Sequence, residues 1–205
     1  IGVICSLFVG QKACIVVYGV LLPFLYFYNY YLKRYPIIGN VIISFLLSMV
    51  FIITEIIIHS TYHIMMLPAC FAFGISFIRE VSKDLEDYEG DLKANHKTLP
   101  VLIGKEKTMC FIFICIILFS IFLIIHAFIT SQSLLYLLLL IILILIPLLY
   151  SLFLLVKFLK NTEIYRLPRL YKIVTINGLI IIFLMKGQSQ CKILYIYTTI
   201  LTILY

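Results

Sequence analysis

Charge is what this sequence has least of. Only 12% of its 205 residues are Asp, Glu, Lys or Arg, while 64% are hydrophobic and the mean hydropathy is +1.17. Soluble domains carry roughly 25% charged and 45–50% apolar residues. A water-soluble fold of this size has too little interior to hide so much apolar surface, and disorder, collagen and coiled coil are excluded by the same figures. The chain must be solvated by lipid. Paired cysteines are also missing. Cys5, Cys14, Cys70, Cys110, Cys115 and Cys191 fall in or beside apolar runs with no Cys-x-x-Cys pair, so they read as small buried hydrophobes. No cationic region precedes the first apolar run, so that run does not read as a signal peptide. The chain begins at Ile1 inside it and is expected to be N-terminally incomplete. Neither an internal repeat nor the alternation of an outer-membrane barrel is present.

What is there is a series of long apolar runs, at about 13–28, 37–58, 61–78, 109–129, 134–156 and 173–185. A spanning helix needs about 20 apolar residues, and lipid leaves no backbone polar group unsatisfied, so helices are the natural solution. The expected fold is all-α, a polytopic transmembrane helical bundle with about six clear spans. Residues 1–9 look like the tail of an earlier span, and 188–205 form a weaker apolar tail.

Cations give the topology. The segments 28–36, 79–108 and 157–172 hold thirteen of the sixteen Lys and Arg, and the turns near 59–63 and 130–133 hold none. Two spans separate each basic segment from the next, so all three share a side, and the positive-inside rule makes that side cytoplasmic. The net charge of +7 then reflects membrane orientation and not a nucleic-acid partner.

The acids are concentrated. Of nine Asp and Glu, six lie between Glu80 and Asp91, in the run REVSKDLEDYEGD that starts at Arg79. On a helix Glu80, Asp84, Asp87 and Asp91 share a face, with Gly90 expected to end or loosen it. Neighbouring carboxylates about 6 Å apart repel by about 3 kcal/mol at an effective dielectric of 20. Such a stripe is either a solvated loop or a place that takes cations, and carboxylate oxygens suit Mg²⁺. Arg79, Lys83, Lys93 and Lys97 beside it, and Lys33–Arg34 behind Tyr28, Tyr30 and Tyr31 on the same side, could hold a phosphate on that metal. This suits a substrate with a diphosphate head and an apolar tail. Elsewhere, Glu55 near the outer end of its run reads as interfacial and solvated. His59 and His63 fall at an outer turn without an acid–histidine motif, and His126 reads as packed or interfacial. Asn177–Gly178 suits close helix packing.

These residues resemble a known family. Segment 79–100, REVSKDLEDYEGDLKANHKTLP, is similar to the second aspartate-rich motif of the UbiA family of intramembrane prenyltransferases. Segment 28–40, YNYYLKRYPIIGN, resembles that family's Tyr-x-x-x-Leu-Lys-Arg loop with its Pro and Gly-Asn, and segment 172–183, KIVTINGLIIIF, its last-helix pattern. The resemblance covers about residues 1–187, a single transmembrane domain, and its wording is nearest the digeranylgeranylglyceryl phosphate synthase branch. It implies a lipid-open cavity whose cytoplasmic end binds an isoprenoid diphosphate through Mg²⁺ and hands the prenyl group to a lipid-soluble acceptor, geranylgeranylglyceryl phosphate-like or a quinone precursor. By position, Asp84, Asp87 and Asp91 would be the catalytic, metal-associated acids, supported by Glu80. Lys33, Arg34, Lys83, Lys97 and Tyr28 would contact the diphosphate. The family's first two helices and its first motif, Asn-x-x-x-Asp-x-x-x-Asp, have no counterpart in these 205 residues. Little turnover is therefore expected of them alone, and Asn29 replaces a small hydroxyl residue. A small transporter or lipid-binding bundle is the competing class. It predicts polar residues at mid-membrane depth, whereas here they cluster at one interface. An inactive gene remnant is a third possibility.

Overall fold

The computed structural model describes residues 18–19, 22–23, 25–26, 36–59, 65–129, 134–158 and 166–185, and among these there are helices and no strand. Two compact units divide the chain, Ile1–Lys105 and Glu106–Tyr205.

The first unit is built on α1 (Pro36–His59) and α2 (Met66–Glu86), which pack along each other, followed by the short α3 (Tyr88–Lys93) and α4 (Leu99–Ile103). Prolines open these helices: Pro36, Pro68 and Pro100 each fall in a first turn, where the missing N–H has no intrahelical partner to lose. On α1 the buried residues Asn40, Ser44, Ser48, Phe51 and Glu55 recur every three or four positions, which makes one face. That face meets α2, because Asn40 bonds to Asp84 at one end and Glu55 to the backbone of Met65 at the other. Small residues on α2, Ala69, Ala72, Ser76 and Ser82, are buried in turn and let the two backbones approach. Their hydroxyls, and those of α1, need not be left orphaned in lipid: Ser44, Ser48 and Ser82 donate to the carbonyls of Asn40, Phe45 and Ile78 at 2.6–2.7 Å.

The second unit holds α5 (Lys105–Ile129, whose first residue belongs to the first unit), α6 (Leu134–Leu140), a π-helical turn (Ile141–Leu145), α7 (Ile146–Phe158) and α8 (Arg166–Met185). On α5, Thr108, Ile112, Ile116, Phe119, Leu123 and Ala127 are buried at helical spacing. The π turn has a specific cause. Pro147 lies inside the helical run and cannot donate to the carbonyl of Leu143 four residues back. The Asn177 side-chain amide on α8 donates to that carbonyl instead, at 2.9 Å. Asn177 thus repairs a backbone break, a more specific task than the close packing expected of it.

Three helical stretches are long and apolar enough to cross a membrane: Pro36–Glu55, Lys105–Ile129 and Leu134–Lys157. They coincide with the runs expected at 37–58, 109–129 and 134–156, and the chain is a membrane protein. The other boundaries move. The 61–78 run becomes helical at Met66 and continues through the charged residues to Glu86, and the 173–185 run is already helical from Arg166. The 79–108 segment expected as a loop is therefore mostly helix, because Lys, Glu and Arg are good helix formers and the helix runs on where its apolar stretch stops. Cys70 and Cys110 are exposed on their helices and Cys115 half-buried, not buried as expected; on a lipid-solvated bundle an outward-facing position also suits an apolar side chain. His59 lies in α1, while His63, the stretch 1–9 and the tail 188–205 lie outside the described residues.

Candidate active site

The acidic stripe forms where α2 passes into α3. The helix is interrupted at Asp87, with φ −82° and ψ 3°, and not at Gly90, which lies inside α3. The interruption is slight. Asp87 N–H donates to the Lys83 carbonyl and Asp91 N–H to the Asp87 carbonyl, both at 2.9 Å, so helical spacing carries across it. What ends α3 is Asn95, with φ 55°. Asn tolerates this left-handed position, and there His96 N–H reaches the Asp91 carbonyl at 2.9 Å and Asn95 N–H the Leu92 carbonyl at 3.4 Å, a Schellman closure. The same turn lays the His96 ring nitrogen Nδ1 3.3 Å from Asp91 Oδ1.

Asp84 is the centre of the group. It is half-buried, and its Oδ2 accepts a 2.7 Å hydrogen bond from Asn40 Nδ2 of α1. Burial pushes its carboxyl up to about 6; the Asn40 bond opposes the rise, and the charges of Asp91, Glu80 and Asp87 add to it. The other three acids of the predicted stripe thus all act on Asp84. Glu80 is half-buried and paired at 2.5 Å with Arg79, and Asp87 is exposed. Lys83 on α2 and Lys97 in the turn before α4 are exposed, and neither is tied into an ion pair among the described residues. Lys105 lies 4.6 Å over the Tyr88 ring and 3.4 Å from Glu89, tying α3 to the end of its unit. Tyr28, Lys33 and Arg34, expected at the diphosphate, lie outside the described residues.

In the sequence Asn40 is marked only by its place in a Gly-Asn pair. The available signal was an amide within an apolar run, where an unpaired polar group is costly. Glu55 departs from expectation: it is fully buried and accepts a 2.7 Å hydrogen bond from Met65 N–H. The N-terminal end of α2 supplies orphan N–H groups and a positive dipole end, and these replace the water a carboxylate would otherwise need.

The donor set is open and not a closed cage. Among the described residues no three His, Cys, Asp or Glu side chains converge closely enough to hold a metal by themselves. Mg²⁺ does not require such a cage; it takes one or two carboxylates and completes its shell with water and substrate phosphate. A carboxyl that burial, and after it the charge of three neighbouring acids, pushes up to about 6 is hard-oxygen chemistry short of positive charge, and the stripe fits the ion on those terms.

The chain belongs to the UbiA prenyltransferase family, whose family model matches residues 1–171. It is 39% identical over 88 residues to digeranylgeranylglyceryl phosphate synthase of Methanobrevibacter smithii, an alignment covering 40% of this chain and 30% of that protein. To the synthase of the same name from Methanosphaera stadtmanae it is 28% identical over 183 residues, covering 89% of this chain and 63% of that protein. A solved structure described as giving insight into digeranylgeranylglyceryl phosphate synthase in membranes superposes with a TM-score of 0.65 at 27% identity, over 90% of this chain and 64% of that one. These matches span between 30% and 64% of the relatives' own lengths.

Proposed function

We propose that the chain is the part of an integral membrane prenyltransferase that takes the diphosphate of an isoprenoid donor, for transfer of its prenyl group to a lipid-soluble acceptor of the geranylgeranylglyceryl phosphate type. The observation that carries this is the Asp84 centre: a half-buried carboxylate at one end of the α1–α2 pair, one oxygen held by Asn40, its proton affinity raised by burial and then by three further acids. The names of the matched relatives supply the acceptor class. In this reading Asp84, Asp87 and Asp91, with Glu80 beside them, would hold Mg²⁺, which when bound would neutralise the charge that grows on the leaving diphosphate. Lys83 and Lys97 bring cationic groups to the same end, as Lys33, Arg34 and Tyr28 would from the preceding segment. The apolar helices keep water from the allylic carbon. The allylic carbon–oxygen bond breaks with its electron pair leaving on the diphosphate, an acceptor hydroxyl or electron-rich carbon bonds to the allylic carbon and gives up its proton to the released diphosphate or to water, and no covalent enzyme intermediate is needed. The acidic and basic segments lie on the cytoplasmic side of a multi-pass cell-membrane protein, 1–187 forming one domain with 188–205 as a tail.

The test is Mg²⁺-dependent binding of labelled geranylgeranyl diphosphate to the chain in lipid nanodiscs. Binding lost on chelation and lost again in Asp87→Ala, with helicity unchanged, is expected. Equal binding with and without Mg²⁺ would contradict it. Cysteine-accessibility labelling that finds 28–36, 79–108 and 157–172 on different sides would contradict the topology.

A further inference from the structure

We infer that Asn40 is a positioning residue of the diphosphate site, acting through Asp84. The inference rests on the functional reading above and deepens it by adding to the site a residue from a helix outside the acidic segment. Asn40 sits on the buried face of α1 at 7% exposure, forty-four residues before its partner in sequence, and its Nδ2 lies 2.7 Å from Asp84 Oδ2. The bond engages one carboxylate oxygen, and among the described residues no other side-chain hydrogen bond to Asp84 is found. That leaves Oδ1 as the oxygen with uncommitted lone pairs, so the bond fixes which oxygen of Asp84 is available to a cation and holds the side chain in one rotamer.

The choice of an amide is chemically specific. A carboxylate at position 40 would add a charge to a group of four acids that already repel. A Lys or Arg would neutralise Asp84 and compete with the cation. An aliphatic residue would leave Asp84 unanchored in a half-buried setting, where a lost partner is costly. Only a neutral donor orients the carboxylate and leaves its charge for the metal. Asn40 is anchored in turn. Its own backbone carbonyl accepts from Ser44 Oγ at 2.6 Å, and α1 is held to the far end of α2 by Glu55 and Met65 N–H. The position of Asp84 is thus defined from a second helix, as a site that must hold a small ion tightly requires.

The experiment measures the Mg²⁺ concentration giving half-maximal binding of labelled geranylgeranyl diphosphate by the full chain in nanodiscs. Unsubstituted chain, Asn40→Ala, Asn40→Leu, Asp84→Asn and the double variant Asn40→Ala/Asp84→Asn are compared, with thermal unfolding in chelator as a separate readout. Asn40→Ala is expected to raise the Mg²⁺ requirement about tenfold, the usual effect of losing an orienting partner of a metal-ligating carboxylate. In the Asp84→Asn background the same change is expected to add nothing further, since Asn40 acts only through Asp84. An Asn40→Ala chain that unfolds at lower temperature yet keeps the unsubstituted Mg²⁺ requirement would reduce Asn40 to a packing residue and overturn the inference, as would additive effects in the double variant. Should Asn40→Ala fold poorly, the neutral and similarly sized Asn40→Leu, which cannot donate, carries the same test, with the same expected rise. Failure of the unsubstituted chain to bind diphosphate with Mg²⁺ would overturn the functional reading itself, and the inference with it.

Discussion

Two carboxylates close the two ends of the α1–α2 pair, and they are treated differently. Glu55, at one end, is fully buried and takes the backbone N–H of Met65. Asp84, at the other, is half-buried, takes a side-chain amide, and has three further acids in its field. The first arrangement is closed: the carboxylate serves a helix N-terminus, which supplies both a donor and a favourable dipole. The second is open: burial and like charge both raise the proton affinity of Asp84, and a single hydrogen bond opposes them. A group that only joined two helices would be better built like Glu55. The contrast teaches that burial of an acid in this chain takes two forms, one closed by a helix N-terminus and one left open among like charges, and the proposed function gives the open one a ligand.

The comparison can be broken first at the ligand. Asp84→Asn should cost about a hundredfold in Mg²⁺-dependent diphosphate binding, the scale of losing a group that acts on a charged ligand in a low-dielectric site, while Glu55→Gln, which keeps an acceptor oxygen, should leave that binding within about threefold. Equilibrium binding in nanodiscs measures both, and equal losses would erase the distinction between the two ends. Next in size is stability. Glu55→Ala strands the Met65 N–H in a buried setting and should lose about 1–3 kcal/mol, read as a lower unfolding midpoint, with the Mg²⁺ requirement of the surviving fold unchanged.

The third effect is a pH dependence. Asp84 has a folded value of about 6 against 3.8 for an ordinary carboxyl, so the folded state binds its proton more tightly than the unfolded state does. The cost of keeping Asp84 ionised is fully present above about pH 6, falls as pH drops through the interval to 3.8, and is gone below it. Asp84→Asn, which cannot ionise, should therefore be more stable than the unsubstituted chain at pH 7.5 in chelator and equal to it below pH 4. Thermal unfolding at the two pH values checks this, and a difference of opposite sign would mean that Asp84 is paired with a cation in the absence of Mg²⁺. The smallest expected effect is at Lys105. Its partner Glu89 is 79% exposed, so Lys105→Ala should cost under about 1 kcal/mol through the lost Tyr88 contact and leave binding unchanged.

Much of this was legible in the sequence because lipid imposes simple rules. Long apolar runs had to be helices, and three of them cross-check directly against helices of spanning length. The stripe from Glu80 to Asp91 was legible because helical spacing is local, and it persists through the interruption at Asp87. What was not legible depends on pairing between helices. Nothing local marks Asn40 as the partner of Asp84 or ties Asn177 to the carbonyl that Pro147 leaves without a donor. Glu55 was misjudged as solvated because its depth in the run was legible and the N–H that meets it was not. The place of the helix interruption was misassigned to Gly90 for a related reason. Glycine is permissive rather than obligatory in breaking a helix, and here the turn that ends α3 belongs to Asn95.

The central claim is that the Asp84 end of the α1–α2 pair exists to hold a metal-bound diphosphate. The most direct measurement is the unfolding midpoint of the chain in nanodiscs with Mg²⁺ and geranylgeranyl diphosphate added together, compared with either added alone, in the unsubstituted chain and in Asp84→Asn. A ligand that binds only the folded state raises the midpoint. The account predicts a rise of several degrees that needs both additions and is absent in Asp84→Asn; a rise of the same size in both chains, or one produced by the diphosphate without Mg²⁺, would contradict it.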